Sequence, residues 1–355
     1  TEKYVRALEV IYANGEKDTL RPLTRDELMK KMEEQTESGR IHREMYSLIT
    51  DHYDEIMKAK PDVSKNSSGY YLWNVYNKRT DTFDLTKLIT GSQGTLACMT
   101  SVTLSGVKPK THSRMLIMFV PSTTMLGDII PKILKHKPET LESYDDHTFK
   151  IGMKFFKDIA LRMGGNMLTL GFQFLPEFWM ALTGGIPKII LLAEFTGNSE
   201  QDVISQVSKA YQDMSSCNVP IKYTKTAIEA KKYWTFRRES FNLLRTRMSG
   251  YRTAPTIDDI IVHPADLPKF LPELESIFSK YDFIYTVAGH MGDANFHIIP
   301  LVDFRVPGVV EKLHKLMDEV YALTLSYHGS ISAEHNDGLL RTPYLGKMFP
   351  PNILG

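Results

Sequence analysis

"FIYTVAGHMGDANFHIIPLVD", residues 283–303, places two strand-like segments on either side of a polar turn. The flanking segments are rich in β-branched and aromatic residues, and Gly292-Asp293 supplies a turn of the kind that closes a β-hairpin. Side chains on one face of paired strands lie close together, so His290 and His297 are predicted to face each other across this hairpin. Two imidazoles held in this way suit a divalent metal ion.

A second polar segment, "SAEHNDG" (residues 332–338), offers a third ligand. Glu334 is the nearest chemically suitable carboxylate, and two histidines with one carboxylate leave coordination positions open for a substrate, as in catalytic metal sites. His335 beside it is a candidate general base, because an imidazole titrates close to neutral pH. The same residues also fit a simpler alternative, in which the histidines are hydrogen-bonded strand residues and the acidic group is a surface cluster.

The composition is that of a soluble globular protein with two or three domains: 355 residues, 42% of them hydrophobic. Lys and Arg number 43 and Asp and Glu 42, a balance that argues against nucleic-acid binding. Two cysteines fit a reducing compartment. No apolar run reaches the roughly 20 residues of a membrane span, and the opening residues read as a strand rather than a signal peptide. A cytoplasmic location is expected, with peripheral association at the inner membrane as a further expectation.

The first hundred residues contain several distinct patterns. Residues 4–16 alternate apolar and polar positions and end at an Asn-Gly turn, which predicts a strand and hairpin. A helix-prone stretch follows, with Thr24 or Asp26 as its N-cap. After a loop at residues 62–75, residues 83–109 run from a short apolar segment through a Gly/Ser turn into a Thr/Val-rich strand.

A new unit is predicted to begin near residue 112. Its strands and helices alternate, which favours an open α+β sheet with helices on one face. The predicted elements are a strand in "RMLIMFVP", a helix in "TTMLGDIIPKIL", strands in "NMLTLGFQFLP" and "KIILLAEFTG", and helices in "SEQDVISQVSKAYQDMS" and "YWTFRRESFNLLRTRM". A strand followed by a helix that starts at Pro264, and a long helix in "PGVVEKLHKLMDEVYALTLSYHG", complete the pattern.

Two motifs match a known family. "GHMGDANFH" followed by "HGSISAEHNDG" (residues 328–338) resembles the C-terminal signature of the FAD-linked oxidases, which include D-lactate dehydrogenases, the glycolate oxidase flavin subunit and D-2-hydroxyglutarate dehydrogenase. "DLTKLITGSQGTLACMTSVTL" (residues 84–104) is similar to the flavin loop of these proteins, and "SKNSSGYYLW", "PETLESYDD" and "LLAEFTG" also resemble family segments. The resemblance implies an α+β fold: a remnant of a vanillyl-alcohol-oxidase-type FAD-binding domain, lacking its N-terminal half, followed by a ferredoxin-like cap domain with an antiparallel sheet.

The resemblance also implies a domain order. Residues 1–110 would be the C-terminal part of the FAD-binding domain, residues 111–325 the substrate or cap domain, and residues 326–355 a segment returning to the flavin domain.

Carried over residue by residue, the resemblance assigns roles to individual side chains. It implies a divalent metal (Zn, Mn or Fe) held by His290, His297 and Glu334, with His335 as the catalytic base. Arg237 falls where related enzymes place an arginine on the substrate carboxylate, which a guanidinium fork suits; the alternative is an exposed charge on a helix. The residues implied to contact FAD are Gly91, Ser92, Gly94 and Thr95, together with Asn66 and Gly69.

The implied activity is FAD-dependent oxidation of a D-2-hydroxy acid, of the D-lactate or glycolate type, to the 2-oxo acid. Electrons would pass to a quinone, an electron-transfer protein or an iron–sulfur partner. The chain has no C-x-x-C cluster motif, so any iron–sulfur centre would lie on another chain or in a missing region. The stretch around Asp258 lacks a match for the lysine that contacts a second substrate carboxylate in some relatives, which favours a monocarboxylate.

Three residues near the predicted site depart from the family pattern. Ala294 and Asn336 stand where glycine is usual, and Asp337 stands where an apolar residue is common.

Alternative functions stay open at this point. The chain fits an incomplete or non-catalytic subunit that binds a partner supplying the rest of the FAD domain, a metal-dependent hydrolase, or, less well, a relative of the ether-lipid synthases that use this flavin fold. A homo-oligomer also stays open.

Overall fold

The computed structural model describes residues 2–154, 186–226, 229–231, 233–235, 237–238 and 250–354. The strand predicted in "NMLTLGFQFLP" and most of the helix predicted in "YWTFRRESFNLLRTRM" lie outside these residues. The chain divides into two compact units. Unit 1 comprises Thr1–Asp62, Asn66–Pro109 and Ser332–Gly355, and unit 2 comprises Val63–Lys65 and Lys110–Ile331.

Unit 1 contains two three-stranded antiparallel sheets, with strand orders β2-β1-β6 and β3-β5-β4. Its strands are β1 (Val5–Ile11), β2 (Lys17–Leu20), β3 (Leu23–Thr24), β4 (Tyr76–Asn77), β5 (Thr82–Phe83) and β6 (Cys98–Leu104). The helices that precede β6 are α1 (Arg25–Glu33), α2 (Glu37–Asp51), α3 (Tyr53–Ala59) and α4 (Thr86–Ile89).

The local predictions for this unit are confirmed. β1 and β2 form the expected hairpin, with Leu8 opposite Leu20, and Gly15 adopts a positive φ of 87° in the turn. Helix α1 begins after Thr24 rather than Asp26, and the Thr24 N–H donates to Glu27 Oε2 at 2.9 Å, as in a capping box.

Unit 2 is built on an eight-stranded antiparallel sheet of order β10-β7-β9-β8-β13-β14-β11, in which β12 also pairs with β14. Its strands are β7 (His112–Val120), β8 (Thr140–Asp145), β9 (Ile189–Gly197), β10 (Ile221–Tyr223), β11 (Arg252–Thr253), β12 (Ile257–Ile261), β13 (Ile284–His290) and β14 (Asn295–Val302). Its helices, among the described residues, are α5 (Leu126–Leu134), α6 (Asp146–Lys154), α7 (Glu200–Met214), α8 (Leu267–Phe278) and α9 (Val309–Ser326). The chain then returns to unit 1, where α10 (Gly338–Arg341), α11 (Leu345–Met348) and α12 (Pro351–Leu354) follow.

The core of unit 2 follows from its sequence periodicities. β7 and β9 lie inside the sheet, and each has a continuous run of buried residues, which matches their uninterrupted apolar sequences. Helix α7 buries Val203, Val207, Ala210 and Met214, spaced three or four residues apart on one face. The strand and helix around Pro264 and the long helix after residue 308 are also as predicted.

The register of the β13–β14 hairpin corrects one prediction. His290 lies opposite Asn295, and His297 lies opposite Ala288, so the two histidines are diagonal neighbours instead of direct partners. The loop is shorter than direct pairing requires, because a 3₁₀ turn at Met291–Asp293 ends at Ala294, which takes a left-handed φ of 52°. Both histidines still lie on the same face of the sheet, since His290 is two residues from Ala288.

No helix among the described residues combines the length and the apolar character needed to cross a membrane.

Candidate functional site

The two histidines of the hairpin form a close pair in unit 2. The centroids of the His290 and His297 rings are 5.3 Å apart, and the ring planes are nearly perpendicular at 87°. Both residues are partly exposed. The hairpin therefore brings together the two imidazoles that the sequence singled out.

The hydrogen bonds of the two rings fix which nitrogen carries the lone pair. His290 Nδ1 is 2.7 Å from Glu142 Oε1, and His297 Nδ1 is 2.6 Å from the main-chain oxygen of Asp258. A carboxylate or carbonyl oxygen only accepts, so each Nδ1 donates, and Nε2 is the nitrogen with the lone pair. Metal-binding histidines are usually held in this way, with the other ring nitrogen donating to a carboxylate or carbonyl. The pair therefore fits a divalent metal.

Arg237 contacts Glu142, the glutamate that also accepts from His290. Its Nη2 is 2.6 Å from Glu142 Oε2, an ion pair that lacks the alignment of a hydrogen bond, and its Nε donates to the Ser143 oxygen at 3.3 Å. The Arg237 side chain is 22% exposed, so it is not the fully solvated helix charge of the alternative interpretation. One carboxylate thus connects His290 with Arg237.

Sequence reasoning assigned no role to Glu142. It lies in β8, which the periodicity did not predict as a strand, and it reaches the site because β8 pairs with β13 and places Glu142 directly opposite His290. The one available signal was the family-like segment "PETLESYDD", which contains this residue.

Contacts at the turn hold the hairpin in place. Asp293 Oδ1 accepts from Ser64 Oγ at 2.7 Å, and Asp293 Oδ2 is 2.9 Å from Lys65 Nζ. The turn between the histidines is therefore tied to a segment more than 200 residues earlier in the chain.

Glu334 and His335 belong to unit 1. Both are exposed, in the loop before α10, and Ser332 Oγ donates to the Asn336 oxygen at 2.9 Å to close this loop. Their assignment as third metal ligand and base stays a prediction.

The predicted flavin loop lines a cavity of about 330 Å³ within unit 1. Of the predicted cofactor residues, Gly69, Gly91, Ser92 and Thr95 lie in its wall, whereas Asn66 and Gly94 are not among the lining residues. Gly91 and Gly94 have φ angles of 90° and 78°, so the Gly-rich sequence permits the tight turn that follows α4. Asn66 instead shapes its own loop, since its Nδ2 donates to the Ser68 oxygen at 3.1 Å.

Two hydroxyls in the cavity wall behave differently. Thr95 Oγ1 donates to the Ser92 oxygen at 2.6 Å and lies 2.8 Å from Tyr70 Oη, so it stabilises the loop. Ser92 is 3% exposed, and its Oγ has no hydrogen-bond partner among the described residues. A buried hydroxyl without a partner costs free energy. The cavity therefore has a polar atom suited to a ligand.

Asn336 and Asp337, two departures from the family pattern, connect the walls of this cavity. Asn336 has a left-handed φ of 60°, which asparagine tolerates, and its Nδ2 donates to the Gly91 oxygen at 2.8 Å and the Ser67 oxygen at 3.2 Å. Asp337 Oδ2 accepts from the Gly69 N–H at 2.7 Å. Burial raises the pKa of the Asp337 carboxyl above its ordinary value, although the Gly69 N–H opposes the shift.

Comparison with known proteins now identifies the family. Residues 109–354 match the family model described as FAD linked oxidases, C-terminal domain, which is well over half of the chain. The chain belongs to the FAD-linked oxidase family.

Two curated relatives are similar to most of the chain. D-2-hydroxyglutarate dehydrogenase of Haemophilus influenzae is 22% identical, over 99% of this chain and 34% of that protein. D-lactate dehydrogenase of Anaerostipes hadrus is 28% identical, over 84% of this chain and 56% of that protein. The chain thus spans between a third and somewhat over half of these relatives.

The predicted fold class of the chain is confirmed. The solved structure of p-cresol methylhydroxylase, a protein of the vanillyl-alcohol-oxidase type, is similar to this one, with a TM-score of 0.53 at 10% sequence identity. The match covers 98% of this chain and 60% of the p-cresol methylhydroxylase chain. The helices and antiparallel sheets of the two units agree with the predicted α+β class.

Proposed function

We propose that this chain is the C-terminal part of an FAD-dependent dehydrogenase that oxidises a D-2-hydroxy acid to the 2-oxo acid. In this proposal His290, His297 and Glu334 hold a divalent metal (Zn, Mn or Fe), His335 is the base, and Arg237 binds the substrate carboxylate. The observation that carries it is the arrangement of the paired histidines, whose Nδ1 atoms both donate to oxygen acceptors. The names of the relatives support the class of substrate.

Each proposed group has a separate role in the oxidation. When bound, a divalent metal would make the substrate hydroxyl more acidic, and FAD would supply the hydride acceptor. Arg237 orients the carboxylate through charge-assisted hydrogen bonds. An imidazole nitrogen of His335 takes the hydroxyl proton, which leaves the oxygen able to form the carbonyl.

The surroundings of the histidines favour a small monocarboxylate such as D-lactate or glycolate. On this face Ala288 and Ile299, two residues along the strands from His290 and His297, are apolar. Asn295 and Glu142, which lie opposite His290, already have protein partners and supply no cation. A dicarboxylate such as 2-hydroxyglutarate would need a second cation. Two of the relatives are nevertheless named D-2-hydroxyglutarate dehydrogenase, so both substrates are tested. Turnover of D-lactate against D-2-hydroxyglutarate decides between them.

The first test is an absorbance spectrum and metal analysis of the purified chain. We expect bound FAD, one divalent metal per chain, and loss of the metal in His290→Ala and His297→Ala. FAD near stoichiometry would exclude the hydrolase alternative, whereas absence of both flavin and metal would contradict an enzymatic role for the chain on its own.

Ser92→Ala tests the flavin assignment. Because the Ser92 hydroxyl is buried without a partner, its removal is expected to leave the unfolding free energy of the apoprotein unchanged or slightly higher. FAD affinity should fall by roughly 10-fold, as expected for the loss of one hydrogen bond worth about 1–1.5 kcal/mol. Flavin fluorescence titration measures the affinity, and Ser101→Ala on the exposed strand β6 is the control. Unchanged affinity in Ser92→Ala would contradict the assignment.

A second candidate function is a subunit that binds a partner carrying the rest of the FAD domain. The specific observation is strand β6, which lies at the edge of its sheet and is exposed at all seven positions, including Met99, Val102 and Leu104 at 47%, 51% and 55%. Exposed apolar edge strands are usual sites of strand pairing between chains. In this case the chain alone would bind no FAD, and flavin would be retained only after co-expression with that partner. A quinone, an electron-transfer protein or an iron–sulfur partner remains the proposed electron acceptor.

A further inference from the structure

Glu142 occupies a position that no part of the proposed mechanism uses. It is 6% exposed, and the β8–β13 register fixes its main chain opposite His290. Its two carboxylate oxygens have different partners, His290 Nδ1 at 2.7 Å and Arg237 Nη2 at 2.6 Å.

The two histidines differ in how their Nδ1 atoms are held. The acceptor for His297 is the main-chain oxygen of Asp258, which no substitution removes, whereas the acceptor for His290 is the side chain of Glu142. The Nδ1 proton of His290 is therefore held by a side-chain carboxylate that a substitution can change. The same carboxylate and the Ser143 oxygen hold the guanidinium of Arg237 on β8.

We propose that Glu142 is a positioning residue that sets the geometry between the metal site and the substrate carboxylate. One of its oxygens keeps Nε2 of His290 as the ligand nitrogen, and the other fixes Arg237 at a set distance from that ligand. A 2-hydroxy acid has its hydroxyl and carboxylate on adjacent carbons, so the two groups that bind them must also lie at a fixed separation. This inference rests on the proposed function.

Glu142→Gln tests the proposal because the amide keeps the shape of the side chain. Glutamine has one oxygen and one NH₂ group, so it cannot accept from both partners. If its oxygen faces His290, its NH₂ meets the Arg237 cation, and the reverse orientation forces His290 into the other tautomer. Zn²⁺ affinity of the full chain, measured by competition with a chromogenic chelator, should fall by about 10–100-fold. This readout needs neither flavin nor turnover.

Two further variants separate the functions of Glu142. Arg237→Lys removes the guanidinium but keeps the hydrogen bond between His290 and Glu142. It should therefore raise KM for D-lactate in the flavin-loaded protein and leave Zn²⁺ affinity unchanged. Glu142→Gln should change both quantities. Glu142→Asp, which keeps the charge but is one methylene shorter, should bind Zn²⁺ with intermediate affinity.

Glu200→Gln is the matched control, because Glu200 is also a carboxylate ion-paired with an arginine, Arg114 on β7, and β9 and β8 separate β7 from β13 in the sheet. It should change neither quantity, and circular dichroism should show the same fold in all variants. Wild-type Zn²⁺ affinity in Glu142→Gln would overturn the positioning role while the proposed metal site stands. Absence of Zn²⁺ binding in the wild-type chain would instead overturn the metal site itself, and the role of Glu142 with it.

Discussion

His335→Ala is expected to abolish D-lactate-dependent dye reduction while the protein keeps its metal and flavin. General-base catalysis contributes about 10²–10⁴-fold to the rate, so kcat should fall by this factor. His335 is not one of the three proposed metal ligands, and it lies on the exposed loop before α10, where truncation removes no buried packing. Stopped-flow measurement of flavin reduction at saturating substrate isolates the step in which the proton is lost.

The control for this variant is His314→Ala. His314 is an exposed histidine on helix α9, and its removal should leave kcat unchanged. If His335→Ala reduces its flavin at the wild-type rate, the base is another residue. If it loses metal together with activity, His335 contributes to the metal site and the assigned division between Glu334 and His335 is wrong.

The elements that depend on local sequence were predictable. The capping box at Thr24, the Asn-Gly hairpin turn and the 18-residue helix α9 are each encoded within a few consecutive residues or one short period. The paired histidines were also found from their spacing and flanking strands, because a hairpin brings together residues that are near in sequence.

The parts that were missed depend on long-range pairing. Glu142 meets His290 across 148 positions of sequence, through a β8–β13 register that no local pattern encodes. The diagonal placement of the histidines was missed for a related reason. Ala294 takes a left-handed conformation that is uncommon for alanine, and this shortens the loop and shifts the register.

The flavin loop was predictable only in part. Its glycines predicted a tight turn, and the positive φ angles of Gly91 and Gly94 agree with it. Asn336 was noted only as a departure from the family, yet its amide joins the loop to residue 67, which lies 269 positions earlier in the chain. The sequence shows that Asn336 replaces the usual glycine, but it does not show which groups the new side chain contacts.

Gly289→Ala is expected to disrupt the hairpin next to His290. A Cβ at this position would lie 2.1 Å from the main-chain oxygen of Asn295, far inside van der Waals contact. Relief requires β13 and β14 to separate. Asn295 resists this, because its buried Nδ2 donates to the Ile260 oxygen and to Asp259 Oδ1, both at 3.2 Å.

The unfolding free energy of Gly289→Ala should therefore fall by about 3 kcal/mol, the upper end of the usual cost of overpacking. A loss of this size lowers the melting temperature by roughly 6–12 °C in a unit of this length. The control is Gly106→Ala, where an added Cβ meets no atom within 4 Å and φ is not positive. Because the clash lies one residue from His290, Zn²⁺ affinity should fall in Gly289→Ala and stay constant in Gly106→Ala. A Gly289→Ala protein that melts at the wild-type temperature and binds Zn²⁺ normally would show that the strands tolerate a wider spacing, and that the hairpin does not fix the distance between the two imidazoles.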